Sequence, residues 1–184
     1  MSSIMDCLEM NPIIAAIGDS KWEQALACPA QVIFYQSANL LTLKDKVRQA
    51  HDAGKYIMVH MDMAEGVGKD RTGIRFLAQC GVDGIISTKA QMIRIAKEFG
   101  LFTVQRFFAL DSKGLESVDE MLCNSTPDLI EILPGVIPKV LMRFVKSSMP
   151  VIAGGLLESK KEVTQALACG VIAVSTGKAE LWYM

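Results

Sequence analysis

Apolar positions along this chain gather into short unbroken runs, and a stretch with helical spacing follows each one. The runs cover residues 12–18 (PIIAAIG), 31–36 (QVIFYQ), 56–62 (YIMVHMD), 83–87 (DGIIS), 102–108 (FTVQRFF), 128–133 (DLIEIL), 150–154 (PVIAG) and 171–175 (VIAVS). Continuous rather than alternating apolar character marks parallel strands covered on both faces. The stretches between them are amphipathic. In LLTLKDKVRQAHDAG, Leu40, Leu43, Val47 and Ala50 share one helical face, while Lys44, Lys46 and Arg48 point elsewhere. Gly54, Gly81, Gly100 and Gly170 stand where a helix ends in a left-handed cap. Pro127 and Pro150 stop the chain's helical path just ahead of the sixth and seventh strands.

Eight β-then-α units in 184 residues leave about 23 residues for each, with no long insertion. That rhythm favours a compact (βα)8 TIM-like barrel, an α/β fold in a single domain over residues 1–184, rather than a doubly wound open sheet. Strand count alone does not prove closure, so the open sheet stands as the other architecture. No linker, low-complexity segment or further repeat breaks the pattern.

Composition then narrows the function. A net charge of −1 gives no global basic signature, so any nucleic-acid contact must come from a local patch. Local basic candidates are Lys44, Lys46 and Arg48, and Lys160 with Lys161 at the start of the seventh helix. The five cysteines (Cys7, Cys28, Cys80, Cys123, Cys169) are odd in number and form no CxxC pair, which fits reduced thiols in a cytoplasm. The first ten residues carry acids but no lysine or arginine, unlike a signal peptide. No apolar run approaches the roughly 20 residues of a membrane span. A cytoplasmic protein without membrane association is expected.

In either architecture ligands sit at the carboxyl ends of the strands. Those ends supply His60 and Asp62 on the third strand, Lys89 after the fourth, Arg106 on the fifth and Glu131 on the sixth. Gly154 and Gly155 follow the seventh, and Ser175, Thr176, Gly177 and Lys178 the eighth. In barrels, the loops after strands seven and eight often hold a phosphate, and bare backbone N–H groups bind anions without a formal charge. The plainer reading is that the glycine pair only makes a tight turn. His60 and Asp62 have the spacing of two ligands on one strand face, yet the only other histidine is His51, so no metal site is expected. A polar ligand contact or a packed core histidine is the reading for His60. GVGKD lacks the spacing of a nucleotide-binding P-loop. Arg106 and Glu131, on neighbouring strands, form an internal ion pair, read a ligand, or do both. No nucleophile–base triad emerges, and Cys80 and Cys169 lie near helix ends as packing residues.

Seven blocks, in order, carry a family resemblance: NPIIAA, HMDMAEGVGKD, GIISTKAQMI, QRFFALDSKGLE, PDLIEILPGVIPKV, PVIAGGLLES and VIAVSTGKAELW. From about residue 11 to Trp182 the chain resembles the glycerol-3-phosphate-responsive antiterminators, regulators of bacterial glycerol uptake operons. The resemblance implies a small TIM-like barrel that binds glycerol-3-phosphate as effector, with no cofactor. It also implies an mRNA leader as the partner on which premature transcription termination is prevented. A homo-oligomer is left open. AGGL and STGK match the expected phosphate loops, while His60, Asp62, Lys89, Arg106 and Glu131 fall on polar strand-end positions. The family commonly ends its last strand on TTS or STS; here Gly177 replaces the final serine. The alternative is an enzyme acting on a small phosphorylated substrate, an isomerase, lyase or phosphodiesterase, with His60, Asp62 or Glu131 as acid–base groups.

Overall fold

The computed structural model describes residues 3–109, 122, 124–146 and 149–184. Eight parallel strands close into a barrel in sequence order: β1 (Ile13–Ile17), β2 (Val32–Tyr35), β3 (Tyr56–His60), β4 (Gly84–Ser87), β5 (Phe102–Phe108), β6 (Leu129–Leu133), β7 (Val151–Gly154) and β8 (Ala173–Thr176). Pairing of β1 with β8, Ile14 opposite Ser175, completes the circle and rules out the open sheet. Seven α-helices are described: α1 (Ile4–Met10), α2 (Trp22–Ala27), α3 (Leu43–Asp52), α4 (Arg71–Gln79), α5 (Ala90–Glu98), α6 (Pro138–Val145) and α7 (Lys160–Ala168). None of the described helices is long and apolar enough to cross a membrane.

Alternation along each strand separates two cores. Ile33, Ile57, Ile85, Ile130, Val151 and Val174 face outward and pack under the helices with Leu43, Leu77, Ile93, Leu141 and Val163. Their neighbours Val32, Phe34, Met58, Ile86, Val104, Leu129, Ile152 and Ala173 fill the barrel interior. That inner cluster also holds Ile4, Cys7 and Leu8 of α1, so the N-terminal helix stoppers the barrel at its amino end. A reciprocal capping box between Ser3 and Asp6 starts α1.

Gly54, Gly81, Gly100 and Gly170 all have positive φ, between 71° and 93°, as the left-handed cap requires. Helix starts are as well defined. Asp70 accepts from the Gly73 N–H at α4, Ser159 and Glu162 form a capping box at α7, and Pro138 opens α6. Two strand ends differ from the pattern reading. β3 stops at His60 because residues Met61–Met63 turn into a 3-10 helix, so Asp62 does not share the His60 strand face. Phe107 is buried, whereas Phe108 at the end of β5 is 51% exposed.

Candidate functional site

The residue two positions beyond each interior apolar side chain again faces inward, now at the carboxyl end. Gln36 follows Phe34, His60 follows Met58, Arg106 follows Val104, Glu131 follows Leu129, Gly154 follows Ile152 and Ser175 follows Ala173. The apolar filling therefore gives way to a polar layer just below the mouth.

Glu131 is the hub of that layer. Its side chain is 1% exposed; Oε2 accepts from Arg106 Nε at 2.6 Å and Oε1 accepts from Ser175 Oγ at 2.5 Å. One carboxylate thus ties β5, β6 and β8 together. A buried carboxylate is tolerated only with such partners. Gly154 makes the arrangement fit: a Cβ on it would lie 2.7 Å from Ser175 Oγ and 3.0 Å from Glu131 Cδ. The close approach at the first glycine of the pair is therefore to protein side chains. Gly154 φ needs no special backbone. Gly155 does, with φ +75°, and Leu156 beside it has φ +60°. For a leucine that left-handed conformation costs about 1–2 kcal/mol. Loop strain of this kind gathers at ligand-handling turns.

His60 stands in the same interior, 4% exposed, and its Nδ1 has no hydrogen-bond partner among the described residues. Burial, then the Arg106 charge, push its pKa below the ordinary value, while Asp62 and Glu131 pull the other way. The ring is neutral near pH 7, with one nitrogen free. Asp62 is occupied: Ser87 Oγ donates at 2.7 Å, and Thr88 donates through its backbone N–H at 2.7 Å and its hydroxyl at 2.9 Å. Burial alone would raise the Asp62 pKa, but these three donors leave it below the usual carboxylate value. Lys89 caps α5 with its backbone, and Lys69 is bound to the Ala64 carbonyl. Burial lowers the Lys69 pKa, Asp62 opposing it and Lys89 adding to it.

A cavity of about 360 Å³ opens at the mouth over β1, β5, β6, β7 and β8. Of the residues singled out in the sequence, Arg106, Glu131, Gly155, Ser175, Thr176, Gly177 and Lys178 line it. Gly154 lies beneath, and His60, Asp62 and Lys89 are outside the lining. Thr176 contributes surface rather than its hydroxyl, which donates to the Leu157 carbonyl at 2.8 Å. Lys21, Gln36 and Glu158 also line the cavity. Lys21 and Glu158 escape a reading of the strand ends, since both sit deeper in βα loops. The Lys21 ammonium reaches the Gly177 carbonyl, closing the β1 loop onto the β8 loop. Lys178 lies 3.6 Å from the Glu158 carboxylate.

Three cations (Lys21, Arg106, Lys178) and two carboxylates (Glu131, Glu158) thus meet at the cavity. The carboxylates are matched by Arg106 and Lys178, which, among the described residues that line the cavity, leaves Lys21 as the surplus positive charge. Backbone N–H groups of Gly155 and Leu156, on the loop that walls the cavity, find no acceptor among the described residues. Surplus charge beside free N–H groups is the chemistry of a small-anion site.

The family model described as glycerol-3-phosphate responsive antiterminator matches residues 13–182. The chain is 38% identical over 182 residues to the uncharacterized protein YgcP of Escherichia coli K12, covering 97% of this chain and 95% of that one. The crystal structure of the glycerol uptake operon antiterminator regulatory protein from Listeria monocytogenes superposes with a TM-score of 0.88 at 35% identity, covering 94% of this chain and 95% of the other. A glycerol uptake operon antiterminator-related protein from Thermotoga maritima gives 0.84 at 36% identity, covering 94% and 98%.

Proposed function

The chain belongs to the glycerol-3-phosphate responsive antiterminator family, and we propose that it senses glycerol-3-phosphate at the barrel mouth and then acts on the leader of glycerol-operon mRNA to prevent premature transcription termination. In this reading the Gly155 and Leu156 N–H groups and Lys21 hold the phosphate, with Lys178 at the rim. Ser175, Glu131 and Gln36 face the glycerol hydroxyls from the cavity wall. No cofactor or metal is invoked; glycerol-3-phosphate is the effector, and the nascent transcript in the cytoplasm is the partner.

One observation carries the ligand half: a cavity of about 360 Å³ at the β7 and β8 loops, with one cation left unmatched. The test is thermal unfolding with glycerol-3-phosphate, glycerol and inorganic phosphate in parallel. A ligand at a hundred times its Kd stabilises by about 2.7 kcal/mol, or about 5–10 °C for a chain of this size. A shift with glycerol-3-phosphate no larger than with phosphate alone refutes the specificity. Leader-RNA retention that depends on glycerol-3-phosphate tests the other half.

A second reading, an enzyme on a small phosphorylated substrate, draws on His60, whose neutral ring keeps a buried nitrogen unpartnered among the described residues. Against it, both oxygens of Glu131 are engaged, Oε2 by Arg106 and Oε1 by Ser175, so neither faces the cavity unpartnered. Turnover of glycerol-3-phosphate or its diesters, lost in Glu131→Gln, would favour the enzyme.

A further inference from the structure

Residues 38–43, after β2, and 63–76, after β3, lie outside the cavity lining, yet they are built as one structure. Asn39 and Glu65 pair as a short parallel bridge. The Glu65 N–H donates to the Ala38 carbonyl at 2.8 Å, and the Leu40 N–H to the Glu65 carbonyl at 3.0 Å. The Asn39 side-chain amide donates to the Glu65 carboxylate at 3.0 Å, while its Oδ1 accepts from the Leu41 N–H at 3.0 Å. These bonds fix the tip of the β2 loop. The tip carries Leu41, 86% exposed, the most exposed large apolar side chain among the described residues. Clustered apolar side chains left in water mark contact surfaces.

Beside that tip lies a groove of about 250 Å³, walled by Leu40, Val67, Thr72 and Phe76. Glycines shape it. A Cβ on Gly66 would lie 3.0 Å from Leu40 Cβ, so its absence lets Leu40 close in as one wall. Gly73 lets the preceding loop lie flat on the first turn of α4, where a Cβ would overlap the Gly68 carbonyl oxygen. GVGKD, which lacks P-loop spacing, is thus the floor of a mainly apolar groove. Met63, two residues before Glu65 on the same loop, is 54% exposed and widens the patch.

We propose that this patch is the contact between two copies of the chain, related by a two-fold axis, with Leu41 of each copy seated in the groove of the other. A two-fold contact uses one patch twice, so it needs a projection and a matching recess side by side. Both are present here, separated only by Leu40. The charges around them have both signs: Lys44 one turn beyond Leu41, Glu65 under the tip, and Asp70 in the groove lining. The two carboxylates disfavour a polyanion, whereas two facing copies oppose Lys44 of one to Asp70 of the other. A net charge of −1 adds little repulsion between copies. Area sets the strength. Leu40, Leu41 and Met63, at 40%, 86% and 54% exposure, present roughly 300 Å² of apolar surface. At the usual apolar share of about 57%, the contact covers about 1,000 Å² over both copies. That is the size of a weak, reversible association, with a micromolar Kd.

The test is sedimentation equilibrium of the full chain from about 1 to 200 μM. The parent is compared with Leu41→Asp and with Thr72→Trp, which fills the groove from an exposed position on α4. The parent is expected to pass from one chain of 20.1 kDa to two across this range. Each variant is expected to weaken association at least tenfold. Its Tm at the lowest concentration should stay within about 2 °C of the parent, since both positions are exposed. Mixing the variants tests the reciprocal seating. Leu41→Asp still offers a groove and Thr72→Trp still offers a leucine, so a labelled Leu41→Asp chain should bind Thr72→Trp more tightly than either variant binds itself. A mixed pair no tighter than the separate variants overturns that seating. A parent that stays a single chain at the highest concentration overturns the dimer and leaves the patch to a different partner. A dimer that survives Leu41→Asp, or that only Leu41→Asp dissociates, overturns the pairing of knob and groove.

Discussion

Gly154→Ala is the smallest perturbation that probes how the mouth is assembled. Gly154 has ordinary backbone angles, so an added methyl acts through space alone. Its Cβ would sit 3.0 Å from Glu131 Cδ, closer still to Oε1, and 2.7 Å from Ser175 Oγ. The carboxylate must move, which stretches the bonds from Arg106 and Ser175. Overpacking a filled core costs about 1–3 kcal/mol, and losing a buried charge-assisted hydrogen bond adds about 1.5–3 kcal/mol. A loss near 3 kcal/mol is expected, or about 6–12 °C in Tm. Glu131→Ala removes the obstruction but strands Arg106, at about 3–5 kcal/mol. In that background the methyl meets only a hydroxyl that can rotate away. Urea unfolding of the parent, both single variants and the double variant should therefore give a coupling energy of about 2 kcal/mol. If the two single effects add to within about 0.5 kcal/mol, Gly154 is not there to admit Glu131 and the reasoning fails.

Lys178→Ala removes a cation whose partner Glu158 is largely exposed, so stability should stay within about 0.5 kcal/mol of the parent. Affinity for glycerol-3-phosphate should fall about tenfold; an unchanged Kd by calorimetry removes Lys178 from the site. For His60, the folded pKa is depressed from 6.5, chiefly by burial and then by Arg106. The folded state therefore takes up fewer protons than the unfolded one, so stability holds above about pH 6.5 and declines below it by up to about 1.4 kcal/mol per pH unit. His60→Gln should flatten that decline between pH 7 and 5.5, and parallel profiles would refute it. Gly73→Ala should destabilise by about 2 kcal/mol or more, although alanine normally improves a helix by about 1 kcal/mol. The added Cβ would overlap the Gly68 carbonyl oxygen; a gain in Tm would show that the loop yields.

The eight strands were legible because burial on both faces leaves an unbroken apolar run; the even spacing favoured closure, and the pairing of β1 with β8 established it. The four helix-ending glycines were legible because a left-handed cap admits few other residues. The signal for α1 was present but brief: a Ser3–Asp6 capping pair followed by Ile4, Cys7 and Leu8 at helical spacing. At the site, alternation already distinguishes Ser175 from Thr176, since adjacent strand residues cannot both face the interior. Taking the two hydroxyls as equivalent overlooked that. Lys21 was not legible, because its contact with Gly177 joins the two ends of the chain. Nor was the fit of Glu131 over Gly154, which depends on where β6, β7 and β8 stand in the closed circle. Conversely, the pairing of Arg106 with Glu131 was readable once their strands were taken as neighbours.

The helix that stoppers the amino end turns the barrel from a tube into a cup. Beneath Arg106 and His60 lie apolar side chains such as Phe34, Met58, Ile86, Val104 and Ile152, with Leu8 at the base. That apolar floor does little to screen the charged layer above it. Field lines from the mouth therefore leave in one direction. On the reading proposed above, an arriving anion would meet the charges of the rim at a strength that the same groups on an open surface could not exert. On the proposed anion reading, the closed base, which contributes no side chain to the cavity, helps to set the strength of that binding.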